Sequence, residues 1–161
     1  MADTVSPEVR SRMMAAVRGK DTGPEIAVRQ RLHAMGFRYS LHAKRLPGKP
    51  DLVLPRYRAV IFVEGCFWHG HAGCSLARIP ATRTEYWSEK IGRNRERDVR
   101  TRKALDALGW RHLTIWECGL RGKGATEAAA AEAADWLRSG SPSAEIPAKG
   151  KPGQAAAKDG A

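Results

Sequence analysis

Apolar residues fall in short blocks whose spacing changes from helical to extended and back along the chain. Ser6-Pro7-Glu8 sets a capping residue before a proline suited to a first turn, which predicts a helix to about Val17, with Gly19 beyond it. Thr22-Gly23-Pro24-Glu25 fits a capping box for a second helix, with Ile26, Leu32 and Met35 toward a core and Gly36 at the end. Phe37, Tyr39 and Leu41 alternate as in a half-buried strand. Leu46-Pro47-Gly48-Lys49-Pro50 is a turn-rich loop delivering Asp51 to a strand at Leu52-Val53-Leu54. Pro55-Arg56 then turns the chain into the most apolar strand, Ala59 to Val63, and the pair reads as a hairpin.

From Gly65 to Pro80 the sequence is irregular and crowded with Cys, His and aromatic residues. Thr82 with Glu85 offers another capping box, for a long charged helix reaching about Leu108 and stopped by Gly109. Trp110 to Trp116 is rich in strand formers, and Thr126 is placed to cap an alanine-rich helix to about Leu137. Beyond Ser139 the residues are Gly, Pro, Ala, Ser and Lys without period, which predicts a disordered tail. The order is α-α-β-β-β-α-β-α without internal repeats, a mixed α/β arrangement. Its expected divisions are an N-terminal helix within residues 1–20, one domain over 21–138, and a tail over 139–161.

Charge changes the picture. The chain carries 28 Lys and Arg against 17 Asp and Glu over 161 residues, a formal net charge of +11. Only three of those bases and two of those acids lie from Ser139 onward, so the folded body holds nearly all of the excess. A body that basic calls for a polyanionic partner, nucleic acid before any other. The longest apolar run, Ala59 to Val63, is far short of the ~20 residues that span a bilayer. No apolar segment follows Met1, so no secretory signal or membrane partner is expected, and the location is expected to be cytoplasmic, with the nucleoid. Three cysteines in such a chain do not make a disulfide framework.

Three groups of residues bear chemistry. Cys66-x4-His71-x2-Cys74, joined from afar by Cys118, supplies the thiolates and imidazole that Zn²⁺ favours in a closed structural site, with His69 an alternative nitrogen ligand on spacing alone. Asp51 and Glu64 close the two hairpin strands at one end of a sheet, where paired carboxylates can take Mg²⁺ and so polarise a phosphate. His69 lies near both groups and titrates where a general base must. Glu25 has a capping role and Asp98 an i,i+4 role to weigh against chemistry. Phe67 and Trp68 are adjacent rings that suit a wedge between base pairs. The stretch Thr82–Lys103 carries eight basic against four acidic residues, a phosphate-tracking face with Lys90 and Asn94 one turn apart and able to reach base edges.

The runs Leu46-Pro47-Gly48-Lys49-Pro50-Asp51, Gly65-Cys66-Phe67-Trp68-His69, Pro80-Ala81-Thr82-Arg83-Thr84-Glu85-Tyr86-Trp87 and Trp110-Arg111 to Trp116-Glu117-Cys118 together resemble the very short patch repair (Vsr-type) mismatch endonucleases. The resemblance runs from about Ser6 to Leu137 and implies a restriction-endonuclease-like fold with an αβββαβ core and a structural zinc site. It implies a nick 5′ to the thymine of a T:G mismatch, the product of 5-methylcytosine deamination. It also implies Mg²⁺ on Asp51 and on the backbone of Val63, with His69 as general base and Glu25 and Asp98 near metal-bound water. Cys66, His71, Cys74 and Cys118 would hold zinc. Met14, Phe67 and Trp68 would intercalate, and Lys90 and Asn94 would read bases. The implied enzyme acts as a monomer on mismatched duplex DNA, with other mismatch-repair proteins as further partners. Two departures stand out. Family members carry Thr-His where this chain has Val63-Glu64, so Glu64 is either a second metal carboxylate or a spectator. Cys66 occupies the place where the wider nuclease pattern has a lysine, which passes that duty to His69. The competing readings are a non-catalytic zinc-dependent DNA-binding module and a same-fold nuclease acting on other DNA structures.

Overall fold

The computed structural model describes residues 22–148. The expected helix over residues 6–17, and Met14 with it, lies outside them. The elements are α1 (Gly23–Ala34), β1 (Ser40–Leu41), β2 (Leu52–Leu54), β3 (Ala59–Glu64), α2 (Thr84–Ala107), β4 (Arg111–Trp116), α3 (Ala125–Ser139) and β5 (Ala144–Ile146), with single 3-10 turns after β2, after β4 and at Ser75–Ala77. The five strands lie in the order β1-β2-β3-β4-β5. The first three pair antiparallel, while β3–β4 and β4–β5 are parallel with α2 and α3 as their crossovers.

Strand alternation sorts the core into two layers. Leu52, Leu54, Ala59, Ile61, Leu113 and Ile115 face α1 and α3, where they meet Val28, Leu32, Ala133 and Leu137. Val53, Val60 and Phe62 face the other way, toward Leu105 of α2. Both faces of the sheet are therefore covered, as its parallel half requires.

Several local expectations are corrected. Met35 is 39% exposed, because Gly36 at φ +98° ends α1 and Phe37 takes the buried place instead. The strand over 37–41 shrinks to two residues at the sheet edge, with Leu41 exposed. Thr22 does cap α1, its Oγ1 accepting from the Glu25 N–H at 3.4 Å. No such box forms at Thr82: Arg83 is the cap in a left-handed conformation, and the Thr84 hydroxyl donates to the carbonyls of Pro80 and Ala81. Thr126 likewise yields to Gly124 as the cap of α3. The tail expected to be disordered from residue 139 begins as structure. β5 adds a parallel strand beside β4, Ile146 is buried in the main core, and the Trp136 indole N–H donates to the Pro142 carbonyl.

Candidate active site and metal centre

The antiparallel hairpin brings Asp51 and Glu64 to the same end of the sheet, where β3 gives way to the loop carrying His69. The Asp51 loop is seated on α2 through Gly48, whose φ is +75° and where an added Cβ would fall 2.3 Å from Thr101 Cγ2. Asp51, Glu64, His69, Asp98 and Arg102 line one cleft of about 580 Å³, with Lys44, Lys49 and Arg97 at its sides. The aspartate after Pro50 and the imidazole after Trp68 thus share a cavity.

Two groups of possible metal ligands meet the cleft, Glu25 with His42 and Asp51, and Glu64 with His69 and Asp98. Asp51 Oδ2 accepts the Val63 N–H at 2.7 Å. Burial is the main force raising the Asp51 pKa from 3.8 to about 7; the Val63 bond works against it, and nearby Glu25 and Glu64 add to it. A buried carboxylate with anionic neighbours is a place where a divalent cation relieves the local charge, and carboxylate oxygens are what Mg²⁺ takes. Glu25 is only 1% exposed, and its Oε2 accepts from Arg29 Nη1 and His42 Nε2, each at 2.8 Å. His42 is further tied to this corner by its N–H, which donates to the Asp51 carbonyl, and by a left-handed φ of 47°.

Glu64, 6% exposed, is neutralised by Arg102, whose Nη2 donates to its Oε1 at 2.8 Å and to Thr114 Oγ1 at 2.9 Å. His69 Nδ1 donates to Asp98 Oδ2 at 2.7 Å, which sets the tautomer and leaves Nε2 with its lone pair. Burial alone would lower the ring's pKa, but the Asp98 bond and the negative charges of Glu64 and Asp98 raise it, against opposition from Arg102.

A third group brings His71, and not His69, to the three cysteines. The ligand atoms of Cys66, His71, Cys74 and Cys118 all lie within 4.8 Å of one another. His71 Nδ1 is 3.5 Å from Cys118 Sγ, and the Cys118 N–H donates to Cys66 Sγ at 3.4 Å. No disulfide joins the three cysteines, and all are buried. Burial, then the neighbouring sulfurs, push the Cys66 thiol far up. Three thiols crowded around an imidazole make the donor set of a tetrahedral Zn²⁺ site. Burial lowers the pKa of His71, keeping the neutral ring a metal needs, and the ring stacks on Trp116 with centroids 4.1 Å apart. His69 and His71 point to different sites because Gly70 pivots between them at φ +61°. A Cβ there would come within 2.7 Å of Ile91 and Arg95 on α2.

Phe67 and Trp68 are half-buried, each edge-to-face with Trp87 of α2. Asn94 Nδ2 donates to the Trp68 carbonyl at 2.9 Å, so one of its amide hydrogens braces this loop. Lys90 is half-buried on the same helix. Arg102, Arg29 and His42 were not among the sequence candidates. Arg102 had a signal: Trp87, Ile91, Asn94, Asp98, Arg102 and Leu105 recur at intervals of three or four, so they share one face of α2.

Comparison with known proteins agrees with this geometry. The sequence model of the family described as "DNA mismatch endonuclease Vsr" matches residues 2–75. The chain is 53% identical to the type II nicking enzyme V.XorIIP of Xanthomonas oryzae pv. oryzae over 80% of its own length and 93% of the relative's. It is 44% identical to the DNA mismatch endonuclease Vsr of Escherichia coli, over 93% of its own length and 97% of the relative's. The type II nicking enzyme V.NmeAIP of Neisseria meningitidis is 42% identical over 76% of this chain and 87% of that one. Full-length similarity at these levels, on a chain whose cleft gathers carboxylates, an imidazole and cationic side chains, places it in the Vsr family of DNA mismatch endonucleases, and makes it a DNA-nicking hydrolase.

Proposed function

We propose that this endonuclease nicks one strand of duplex DNA 5′ to the thymine of a T:G mismatch, using Mg²⁺, and so starts very short patch repair of deaminated 5-methylcytosine. The observation that carries the hydrolytic part is the shared cleft of Asp51 and His69. Asp51 and the Val63 main chain would hold the cation, with Glu25 close enough to orient its water. When bound, Mg²⁺ supplies charge against the phosphate and lowers the pKa of water. His69, its Nδ1–H fixed by Asp98, offers Nε2 to take the proton of the attacking water. Glu64 serves as a supporting anion rather than a metal ligand, since Arg102 occupies the oxygen nearest the ring.

The zinc quartet holds the loop that bears His69, Phe67 and Trp68. Phe67 and Trp68, with Met14, wedge into the stack beside the mismatch. Lys90 and the remaining polar atoms of Asn94 reach base edges. One nicking assay tests the reading. A T:G duplex and its matched counterpart are compared with and without Mg²⁺, for the parent and for Asp51→Ala. The expected result is a single-strand nick on the T:G duplex alone, requiring Mg²⁺ and lost in the variant with duplex binding kept. Equal cutting of both duplexes would overturn the mismatch specificity.

A further inference from the structure

Two cavities meet at one wall of side chains. Glu64, His69, Asp98 and Arg102 line both the cleft with Asp51 and a second cavity of about 520 Å³ on the β4–β5 side. Arg102 is the most constrained member of that wall. Its side chain is 17% exposed, its Nη2 is shared between Glu64 and Thr114, and its Nη1 lies 3.8 Å from Asp98 Oδ1. The guanidinium carbon also sits 4.1 Å from the centre of the Phe62 ring. A planar fork held on three sides has little freedom to move.

Two carboxylates compete for one ring atom. Asp98 Oδ2 is 2.7 Å from His69 Nδ1, and Glu64 Oε1 is 3.7 Å from the same nitrogen. A single N–H makes one strong bond, so something must decide which anion receives it. The Glu64 oxygen nearest the ring is the one Arg102 occupies.

We propose that Arg102 is a positioning residue for strand scission: by holding Glu64, it leaves the His69 Nδ1–H to Asp98 and fixes the ring for its work in the cleft. This rests on the reading of His69 as the base. Without Arg102, Glu64 is a buried anion without its guanidinium partner, and His69 Nδ1 lies 3.7 Å from its Oε1. Turning toward Glu64 draws the ring away from Asp98, and a displacement of about 1 Å at a reacting group costs about 10²-fold in rate.

The test is single-turnover nicking of a T:G duplex with Mg²⁺, with duplex affinity measured by fluorescence anisotropy in Mg²⁺-free buffer. Arg102→Met is expected to lower the nicking rate about 10²-fold while affinity stays within about threefold. Adding Glu64→Gln removes the competing anion and is expected to recover at least about tenfold of that loss. An unchanged rate in Arg102→Met, a loss confined to affinity, or no recovery in the double variant overturns the proposal. Should Arg102→Met not fold, Glu64→Gln is compared with Glu64→Gln/Arg102→Met. Rates within about threefold support the proposal, since no anion is left to restrain, and a further tenfold fall overturns it. A His69→Ala arm separates the two readings. Parental nicking there removes the base assignment itself, whereas an inactive His69→Ala beside a fully active Arg102→Met removes only the role of Arg102.

Discussion

Asp51→Asn is expected to stabilise the folded protein while abolishing the nick. Ionising Asp51 in the fold is unfavourable, because burial, helped by Glu25 and Glu64, raises its pKa from 3.8 to about 7. Below the unfolded value both states are protonated and the group contributes nothing. Between the two values the unfolded chain gives up its proton and the native one keeps it, so stability falls by about 1.4 kcal/mol per pH unit. Above the folded value the penalty is constant at about 4 kcal/mol. Asparagine removes this term and keeps an oxygen for the Val63 N–H, but it introduces amide hydrogens that are imperfectly paired, at about 1–2 kcal/mol. The net expectation near pH 8 is a gain of about 1–3 kcal/mol, shrinking by about 2 kcal/mol at about pH 5.5. Urea denaturation followed by tryptophan fluorescence, with zinc present and Mg²⁺ absent, reads the difference. Mg²⁺ should then raise the midpoint of the parent and leave that of the variant unchanged. An Asp51→Asn protein less stable than its parent near pH 8, or a difference that ignores pH, would refute the electrostatic account.

Three other measurements probe other parts of the molecule. Elemental analysis should give about one zinc per chain, and Cys118→Ser or a strong chelator should lower the thermal midpoint markedly; metal-free protein of unchanged stability would remove the zinc site. Truncation after Ser139 should cost about 2–4 kcal/mol in urea denaturation, because it removes Ile146 from the core and the β4–β5 ladder, and an unchanged midpoint would show that β5 adds nothing to the fold. Duplex affinity should fall about 10³–10⁵-fold between about 50 and 200 mM salt if ~6–10 phosphates are contacted, and a flat response would show that the basic surface is not the DNA face.

What could be read from the chain followed from how far each signal stands above its background. Cysteines are few here, so a Cys-x4-His-x2-Cys run with a distant fourth partner was legible as one group of possible metal ligands, and the fold does bring the four together. Which histidine completes it was not, because that depends on the pivot at Gly70. The hairpin was legible as two closely linked apolar strands, the long helix from its charge and the Gly109 stop, and the last helix from its alanines. β5 was hidden: its three residues bury only Ile146 strongly, and they sit among Gly, Pro and Ser. The Thr-x-x-Glu pattern occurs at Thr22 and at Thr82, yet only the first supplies a hydroxyl cap, because left-handed Arg83 displaces the second. Arg102 was masked by composition. On a helix this rich in charge it reads as solvated surface, although its i,i+4 relation to Asp98 turns it inward.

The position of the thiols has a consequence for metal economy. Cys66 precedes His69 by three residues, and His71 and Cys74 follow it, so the proposed base sits inside a short arc pinned at both ends. On the proposed function, an ion in that arc would never need to meet the substrate for nicking to depend on it. With zinc in the quartet and magnesium in the cleft, as proposed, the enzyme would be hostage to two nutrients at once, and a cell short of the first could not make up for it with the second.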